Sequence, residues 1–430
     1  MKLAVVGGGS TYTPELIEGI ARRSDRLPVD ELVLLDIDPE RLEIVGGLAS
    51  RMLRRLGWPG RLTLTSDTDA AIDGASFVLI QLRVGGQAAR LVDETLPPKF
   101  GTIGQETTGA GGFAKALRTV PVVLDIAERT ARRAAPGAWI VDFTNPVGIV
   151  TQALLDDGHR AIGLCNVAIG FQRRFAERNH VEPERVELGH VGLNHLSWIR
   201  SVKVDGEDRL PNILELHADA LAQDVGTSAD LIRLTRSIPS YYLKYYYAFD
   251  KVLHDQLEGA ETRASQVMDI EGELLDMYRN PNLDEKPKLL ERRGGAFYSE
   301  AAAQLIASLH DGRGDVQVVD IRNGDGTGAR ALPELPDHAV VEVPARITRD
   351  GAEIMPQEAL QPGMRGLVQS MKAYEELAVA AARSGDRGIA MQALLANPLV
   401  ARWSIAEPLL PALLEANRGH LPRFFPRDPG

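Results

Sequence analysis

Cys165 and His195 are a thiol and an imidazole that could share one metal ion. Cys165 is the single cysteine of the chain and follows a short apolar segment, and His195 ends the segment GHVGLNH. Two such ligands are a far less specific pattern than paired CxxC motifs. The alternative is an inert buried thiol and a histidine satisfied within the core. The two residues by themselves therefore leave metal binding open.

A run of tyrosines in the segment SIPSYYLKYYYAFD offers a second set of reactive groups. On a helix, Tyr242, Tyr245 and Tyr246 share one face, because residues three and four apart are neighbours. This pattern is typical of an amphipathic packing helix, which is the role we expect for most of these rings. One phenol close to a metal ion could also act as a base, because a nearby cation favours the phenolate and lowers its pKa.

The segment IGQETTGAGGFAKALRTVP, residues 103–121, is rich in glycine, threonine and amide side chains. Apolar packing does not require this composition in one uninterrupted stretch, so we interpret the segment as a loop of the functional site. The segment GLCNVAIG places Cys165 and Asn166 directly after a short apolar run. Proteins of the α/β class present site residues at this position.

A glycine-rich turn near the start of the chain suits a dinucleotide. In VVGGGSTYTPEL, Gly7 and Gly9 occupy the first two glycine positions of GxGxxG, and Tyr12 occupies the third. The turn follows a predicted strand and opens a predicted helix, and Asp36 ends the next strand. A carboxylate there binds both ribose hydroxyls and repels a 2′-phosphate, which favours NAD over NADP. The alternative is a structural turn without a ligand.

Apolar runs predict the elements that position these residues. Residues 2–6 and the segments ELVLLDID, SFVLIQL and AWIVDFT are predicted to be buried strands, with helices between them. This order predicts a parallel sheet covered on both faces, hence an α/β, Rossmann-like doubly wound domain over residues 1–195 that binds NAD. Residues 196–430 combine a long helical stretch, strands in VQVVDIRNG and HAVVEVPARIT, and a last helical run. They predict an α+β substrate domain packed extensively on the first.

Composition and charge limit the classes of partner. With 48 lysines and arginines against 59 aspartates and glutamates, the formal net charge is −11. This balance argues against nucleic acid or an anionic membrane as the main partner. One cysteine excludes an intramolecular disulfide and suits a reducing compartment. The apolar runs are short, so we expect neither a signal peptide nor a membrane span and place the protein in the cytoplasm.

In their order along the chain, these segments resemble the family 4 glycoside hydrolases, which are NAD- and divalent-metal-dependent glycosidases. The resemblance extends from residue 1 to about residue 345 and more loosely to the end. The motifs that carry it are VVGGGSTYTPELIEGI, LLDID, RVGG, IGQETTGAGGFAKALRTVP, FTNPVGIVTQA, GLCNV, GLNHL, YYLKYYY, TRA and RGGAFYSEAA.

The resemblance implies an elimination assisted by redox chemistry. NAD⁺ takes a hydride from C3 of the sugar, the ketone acidifies the C2 proton, a base removes that proton, and the C1 substituent is eliminated. Water then adds to the enone and NADH returns the hydride to C3, so no net redox change is expected. A divalent metal would act as a Lewis acid toward the 2- and 3-oxygens of the sugar.

The resemblance also implies roles for individual residues. Cys165 and His195 match the metal ligands, which usually hold Mn²⁺. Tyr242 matches the base at C2, with the adjacent Tyr241 as the alternative, and Glu106 is expected beside the metal, where it would orient a water molecule. The positions that match substrate or cofactor contacts are Asn145, Asn166, Gly7, Gly9, Ser10 and Asp36.

Several members of this family act on sugars that carry a 6-phosphate, which positive side chains must neutralise. Arg83 and Arg263 are the candidates, because a guanidinium suits phosphate, although each is as well explained by a structural ion pair. Asn166 follows the metal cysteine where 6-phospho-α-glucosidases have an aspartate as general acid. The resemblance therefore favours a 6-phospho-β-glucosidase. Ala168 stands where proline is usual, which leaves the aglycone open.

Other functions share parts of this pattern. A NAD-dependent 2-hydroxy-acid dehydrogenase has the fold but needs a histidine–carboxylate relay and no metal thiolate. A non-catalytic NAD sensor needs only the glycine turn and Asp36. Within the family, the alternatives are 6-phospho-α-glucosides and unphosphorylated glycosides. The resemblance further implies a homodimer or homotetramer whose substrate is a phosphorylated disaccharide or β-glucoside.

Overall fold

The computed structural model describes residues 1–294 and 297–426, so residues 295 and 296 of the motif RGGAFYSEAA lie outside the described residues. The strands are β1 Lys2–Val6, β2 Glu31–Leu35, β3 Arg61–Thr65, β4 Phe77–Ile80, β5 Trp139–Asp142, β6 Ala161–Gly163, β7 Val186–Leu193, β8 Leu196–Val204, β9 Glu207–Asp208, β10 Ile238–Pro239, β11 Val316–Arg322, β12 Val340–Thr348 and β13 Gly351–Ile354. The α-helices are α1 Thr13–Ala21, α2 Pro39–Arg55, α3 Thr68–Ile72, α4 Gly86–Thr95, α5 Gly109–Arg133, α6 Val147–Asp156, α7 Asn166–Asn179, α8 Leu210–Val225, α9 Ala229–Thr235, α10 Lys244–Tyr247, α11 Phe249–Leu257, α12 Arg263–Tyr278, α13 Leu290–Arg293, α14 Tyr298–Asp311, α15 Pro362–Ser384, α16 Arg387–Ala396 and α17 Trp403–Ala416.

A nine-stranded sheet forms the centre of the molecule, in the order β13-β12-β11-β6-β5-β4-β1-β2-β3. Strands β1 to β6 pair in parallel and have the 3-2-1-4-5-6 order of the Rossmann fold. Nearly every residue of β1, β2, β4 and β5 is buried, as continuous apolar runs require when helices cover both faces. The predicted doubly wound α/β fold is confirmed.

The second half of the chain contributes to two sheets. Strands β7, β8 and β10 form a smaller antiparallel sheet, while β11 to β13 pair antiparallel and extend the large sheet beyond β6. The α+β character expected of this half is confirmed. The predicted boundary at residue 195 falls in the turn between β7 and β8, and the division into domains 1–195 and 196–430 stays a prediction.

One hydrophobic core joins the two halves. It contains Leu3 and Val141 from the parallel strands together with Trp198, Val341 and Ala378 from the second half. A smaller core lies between α7, α8 and the β7–β8 hairpin. The halves therefore share their buried apolar surface, which is the largest favourable contribution to folding.

Long amphipathic helices cover the sheets. Helix α5 buries a stripe that includes Phe113, Leu117 and Val120, and ends with Arg132 and Arg133, which suit the negative end of the helix dipole. Within residues 1–294 and 297–426, no helix has both the length and the apolar character needed to cross a membrane.

Parallel strands bring the predicted site residues to one edge of the sheet. Gly7, Asp36, Arg83, Asn145 and Cys165 follow β1, β2, β4, β5 and β6, respectively, by one to three residues. Ligands of open α/β sheets bind outside the carboxyl ends of the strands. The fold therefore places these five residues along one edge of the sheet although they are far apart in the chain.

A fully buried ion pair ties the helices beneath this edge to the C-terminal segment. Arg118 of α5 donates to Asp93 Oδ1 of α4 at 2.9 Å and to Asn417 Oδ1 at 3.0 Å, and its Nε donates to the Val84 carbonyl at 3.0 Å. Both side chains of the pair are completely buried. Such a pair needs both partners, because an isolated buried charge has lost its hydration without compensation.

We predict that Arg118→Met lowers the free energy of unfolding by about 3–5 kcal/mol, because it leaves the Asp93 carboxylate buried without its cation. Arg132→Met on the same helix is the matched control, since Arg132 is 63% exposed and pairs with an exposed Glu128. The control should lose no more than about 1 kcal/mol. Urea unfolding followed by circular dichroism measures both, and equal losses would contradict the prediction.

Candidate active site

A single cleft of about 1820 Å³ runs along the carboxyl edge of the parallel strands. It brings together nine of the predicted site residues, which are Gly7, Gly9, Ser10, Asp36, Arg83, Asn145, Asn166, Tyr242 and Arg263. The two predicted metal ligands, Cys165 and His195, are buried at 4% and 3% exposure. They lie beneath the tyrosines of the cleft wall, as described below.

The glycine turn at one end of the cleft has the shape that a dinucleotide requires. Gly7 has φ +90°, and a Cβ there would come within 2.5 Å of the Gln81 carbonyl oxygen. A Cβ on Gly9 would come within 2.7 Å of Asp36 Oδ2, which accepts a hydrogen bond from the Gly9 N–H at 2.8 Å. Larger residues would fill the surface on which a pyrophosphate packs. The turn and Asp36 therefore fit NAD.

Tyr12 explains how the turn functions without its third glycine. Its ring points toward α14, where it meets Tyr298 edge-on at a centroid separation of 6.3 Å. The third glycine normally permits close packing of helix on strand. Here the tyrosine packs against elements of the second half instead.

A buried carboxylate that the sequence analysis missed lies over the same turn. Glu271 of α12 accepts hydrogen bonds from Arg293 Nη2 at 2.9 Å and from Gln87 at 3.2 Å, and Arg293 Nε donates to Thr11 Oγ1 at 2.7 Å. Arg41 donates to the Gly9 carbonyl at 3.3 Å and pairs with Glu271 at 3.5 Å. These contacts bind α12 to the glycine turn. Nothing in the local sequence of α12 distinguishes Glu271 from a surface acid.

Cys165 immediately precedes α7 and lies close to the turn between β7 and β8. The Asn194 side chain hydrogen-bonds its thiol. Burial and the nearby Glu342 carboxylate raise the pKa of this thiol well above its ordinary value, although the Asn194 hydrogen bond lowers it. The thiol is therefore protonated on its own, and a metal ion would have to displace the proton to bind.

His195 occupies the turn of the β7–β8 hairpin with φ +62°. Its Nδ1 lies 3.0 Å from Thr107 Oγ1 of the site loop. Burial lowers the pKa of His195 to about 4, so that the imidazole is neutral at physiological pH. A neutral imidazole is the form that binds metal ions.

The donor set fits a metal ion that also binds substrate. Among the residues that the structure describes, no group of three or more histidine, cysteine, aspartate or glutamate side chains is arranged to hold a metal ion. Cys165 and His195 would thus supply two donors and leave the other coordination positions for water or substrate oxygens. Open positions are typical of catalytic rather than structural metal sites. A thiolate is a soft donor for Mn²⁺, which suits modest affinity.

Tyr242 lies flat on the His195 ring, with centroids 3.6 Å apart and planes inclined by 13°. Tyr241 instead stacks on Phe171 of the smaller core at 6.1 Å. Burial raises the pKa of the Tyr242 phenol well above its ordinary value, and the pKa rises further when Cys165 is ionised. Of the two candidates for the base, Tyr242 is the one stacked on a predicted metal ligand.

The amphipathic helix predicted for the tyrosine run is wrong. Strand β10 pairs with β8 and keeps the chain extended to Pro239, and only Lys244–Tyr247 forms a helical turn. Tyr242 precedes this turn, so it does not share a helix face with Tyr245 and Tyr246. Tyr242 and Tyr245 line the cleft, whereas Tyr246 packs against the core.

The prediction of a loop over residues 103–121 holds only for residues 103–108, because α5 begins at Gly109. Within this shorter loop, Glu106 is surrounded by three basic side chains. It forms ion pairs with Arg83 and, at 3.1 Å, with Arg90 Nη2, and it accepts a hydrogen bond from Lys115 Nζ at 2.7 Å. Burial opposes the charged form, but Arg83 and Lys115 outweigh it and hold the pKa of Glu106 well below its ordinary value. Glu106 is thus a fixed carboxylate, and its expected role in orienting a water molecule stays a prediction.

The two candidate phosphate ligands differ in their surroundings. Arg83 is partly buried and paired with Glu106, which is the structural ion pair considered above. Arg263 begins α12, is exposed, and donates to the Arg292 carbonyl at 2.7 Å and to Gln266 Oε1 at 3.0 Å. Both line the cleft together with Arg90 and Lys115, which the sequence analysis missed. Carboxylates lie among these groups as well: Glu106 and Glu271 act on Arg83, and Glu94 and Glu106 act on Arg263. Burial lowers the pKa of Lys115 to about 7, so Lys115 is only partly charged at neutral pH.

Asn145 and Asn166 line the cleft between the glycine turn and Tyr242. Asn145 hydrogen-bonds the Tyr298 phenol, and Asn166 is the first residue of α7. Both amides can therefore contact a ligand that lies next to Tyr242.

Close to Cys165 and Asn194, Glu342 of β12 is a further residue that the sequence analysis missed. It accepts from Asn194 Nδ2 at 2.9 Å and lies 2.7 Å from His190 Nε2. Its signal in the sequence is a carboxylate in the middle of the apolar run HAVVEVPARIT. A charged residue inside a buried strand needs a partner, and here it supports the β7–β8 turn.

Comparison with known proteins identifies the relatives of this chain. Residues 2–181 match the model of the family 4 glycosyl hydrolases, and residues 190–400 match the model of their C-terminal domain. The chain is 41% identical to a probable 6-phospho-beta-glucosidase of Bacillus subtilis, over 99% of this chain and 98% of that protein.

Solved structures agree over the same length. The 6-phospho-beta glucosidase from Thermotoga maritima with manganese, NAD⁺ and glucose-6-phosphate has a TM-score of 0.89 and 35% identity, over 98% of this chain and 99% of that one. A 6-phospho-alpha-glucosidase from gut microorganisms with NAD and glucose-6-phosphate has a TM-score of 0.89 and 27% identity, over 98% and 99% of the two chains. These matches confirm the resemblance found in the sequence: the chain belongs to family 4 of the glycosyl hydrolases.

Proposed function

We propose that this chain hydrolyses 6-phospho-β-glucosides with NAD and a divalent metal ion, Mn²⁺ or a close substitute, as cofactors. The observation that carries the proposal is the single cleft in which the glycine turn, Tyr242 above His195, and a group of cations lie together. The structure with manganese, NAD⁺ and glucose-6-phosphate belongs to a relative with the same fold. We assign residues of this cleft to the nucleotide and the sugar phosphate, and the buried Cys165 and His195 to the metal ion.

When bound, NAD supplies reversible hydride acceptance and the metal ion supplies Lewis acidity toward sugar oxygens. For the nucleotide, we assign the pyrophosphate surface to Gly7, Gly9 and Ser10. Asp36 would accept hydrogen bonds from the ribose hydroxyls, and its negative charge disfavours a 2′-phosphate. For the metal ion, we assign Cys165 and His195 as the protein ligands.

Tyr242 is the residue that we assign to the proton at C2 of the sugar, which its Oη would accept. Burial keeps the phenol protonated in isolation. A divalent cation beside it favours the phenolate, because opposite charge stabilises the ionised form. The stacking of Tyr242 on His195 puts this phenol next to a proposed metal ligand. Base strength would therefore depend on metal binding.

The proposed preference for β-glucosides rests on Asn166 and on the sequence identity to the relatives. A carboxamide cannot donate a proton as a general acid, so departure of the aglycone would rely on the elimination itself. The relatives named as 6-phospho-beta-glucosidases share more identity with this chain than the 6-phospho-alpha-glucosidase does. Asn145 and Asn166 would hold the sugar through their amides.

Recognition of the 6-phosphate is assigned to Arg83 and Arg263. Their guanidinium groups offer planar donors for a phosphate, and Arg90 and Lys115 add positive charge nearby. A phosphate would share Arg83 with Glu106. Glu106 keeps Arg90 and Lys115 as partners when Arg83 turns to the phosphate.

Two other classes of function fit the site less well. A 2-hydroxy-acid dehydrogenase and a non-catalytic NAD sensor both need the glycine turn, but neither uses a buried thiol and imidazole beneath a tyrosine.

We also propose a homodimer or homotetramer in the cytoplasm. The location is supported by Cys165, whose thiol must stay reduced to bind a metal ion.

The decisive experiment is hydrolysis of a chromogenic β-glucoside 6-phosphate by protein stripped of cofactor and metal. NAD⁺ and Mn²⁺ are added back separately and together, with a reductant that protects Cys165. We expect turnover only with both, and no net accumulation of NADH. If only the α-linked or the unphosphorylated analogue is hydrolysed, the proposed substrate is wrong. If hydrolysis proceeds without NAD⁺, the proposed mechanism is wrong.

Tyr242→Phe should lower kcat by about 10²–10⁴-fold, the usual contribution of a general base, while NAD⁺ affinity stays unchanged. Tyr241→Phe is the matched control, because its ring stacks on Phe171 rather than on His195. We expect the control to keep kcat within about threefold of wild type, since its phenol takes no part in the reaction. Steady-state kinetics and NAD⁺ titration measure both variants, and the reverse result would assign the base to Tyr241.

Arg263→Met should lower kcat/KM for the phosphorylated substrate by about 10–100-fold, because a charged hydrogen bond contributes about 1.5–3 kcal/mol. For the unphosphorylated analogue, kcat/KM should change little. Arg263 is the cleaner choice than Arg83, whose loss would also disturb Glu106. An equal decrease for both substrates would assign Arg263 a structural role instead.

A further inference from the structure

The hydrogen bonds around His195 determine which of its nitrogens carries the proton. Its Nδ1 lies 3.0 Å from Thr107 Oγ1, and both side chains are buried. A hydroxyl can donate to the imidazole or accept from it. The direction of this one bond decides whether Nε2 has a proton or a free lone pair.

The orientation of the neighbouring Gln105 amide is fixed by the backbone. One atom of that amide lies 2.5 Å from the Thr107 backbone nitrogen and 2.8 Å from the Thr108 backbone nitrogen. Backbone N–H groups only donate, so the atom that faces them must be the amide oxygen, Oε1. Gln105 thus presents an acceptor to the start of α5.

This acceptor determines the direction of the Thr107 hydroxyl. Thr107 Oγ1 lies 2.8 Å from Gln105 Oε1, and two oxygens at that distance require a proton between them. Gln105 Oε1 has no proton to give, so Thr107 donates. Its hydroxyl can then only accept from His195, and Nδ1 must be the protonated nitrogen.

We propose that Thr107 is a positioning residue that holds His195 as the Nδ1–H tautomer and so keeps the Nε2 lone pair for the metal ion. This inference rests on the metal dependence of the proposed function. The two hydrogen bonds point the same way: His195 Nδ1–H donates to the Thr107 hydroxyl, and the Thr107 hydroxyl donates to Gln105 Oε1. Metal-binding histidines commonly donate their second N–H in this way, and losing such a partner typically weakens metal binding 10–100-fold.

The loop that carries Thr107 is held by contacts at Glu106 and at Gly104. Glu106 pairs with Arg83, Arg90 and Lys115. Gly104 exchanges two hydrogen bonds with the Gln256 amide, at 3.0 and 2.6 Å. The Tyr242 ring covers one face of His195. Thr107 and the imidazole are therefore both fixed, so the hydrogen bond does not depend on a mobile loop.

The test is Mn²⁺ binding to the NAD-loaded full chain, measured by electron paramagnetic resonance of free Mn²⁺. Thr107→Val keeps the shape of the side chain and removes the hydroxyl, and we expect a 10–100-fold weaker affinity. Thr107→Ser restores the hydroxyl and should bind within about threefold of wild type, because it can make both hydrogen bonds.

Thr108→Val provides the matched control. Thr108 Oγ1 lies 3.3 Å from the same Gln105 oxygen, so this variant also removes a hydroxyl from the loop, next to the one that meets His195. We expect its Mn²⁺ affinity to match wild type. Equal affinity in Thr107→Val, failed rescue by Thr107→Ser, or an equal loss in Thr108→Val would each overturn the proposal.

A second measurement is made on wild-type protein and uses a variant only to assign the signal. Nitrogen-15 shifts of labelled histidine distinguish the two tautomers, and loss of one signal in His195→Gln assigns it. In metal-free wild-type protein, we expect His195 to show a protonated Nδ1 and an unprotonated Nε2. A protonated Nε2 would overturn the proposal. Because no substrate or metal is present, failure here is distinct from failure of the proposed function.

Discussion

Three cations share the buried carboxylate of Glu106, and the order of the whole site follows from this contact. Arg83 comes from the end of β4, Arg90 from α4 and Lys115 from α5, so one side chain fastens three elements to the site loop. A carboxylate that leaves water loses its hydration, and only several well-placed cations can replace it. Arg90 also pairs with Glu94 at 2.7 Å, so the charges form a network rather than isolated pairs. These contacts hold the loop in one arrangement, and the residues beside Glu106 are therefore fixed in position as well.

The second half of the chain completes a site that the first half only begins. The Rossmann-like strands present the glycine turn, Asp36 and Cys165, whereas His195 and Tyr242 come from the smaller sheet and its connection. Glu342 of β12 supports the turn that carries Asn194 and His195, and Glu271 of α12 binds to the glycine turn from above. The predicted site residues are thus brought together by packing between elements that are remote in sequence.

Local patterns were enough to predict the parallel sheet, because each central strand contains a short continuous apolar run. The same reasoning located the glycine turn and Asp36, whose positions depend on the strand ends alone. It could not find the helix break before Lys244, since β10 is set by pairing with β8. Nor could it show that Arg83 pairs with Glu106 or that Glu342 reaches Asn194. Those contacts join distant segments, and single-sequence periodicity contains no information on such pairs. The roles of the site residues stay predictions.

The extension of the parallel sheet by β11, β12 and β13 limits how the molecule can move. Strand β11 pairs with β6, and the apolar core beneath them is common to both halves. A hinge between the halves would have to break this ladder and expose shared core to water, at a cost that rises with the area uncovered. Opening by rigid-body domain rotation, the route that many two-domain enzymes use, is therefore unfavourable here. Entry and exit of ligands must rely on local movement of side chains and loops at the rim of the cleft.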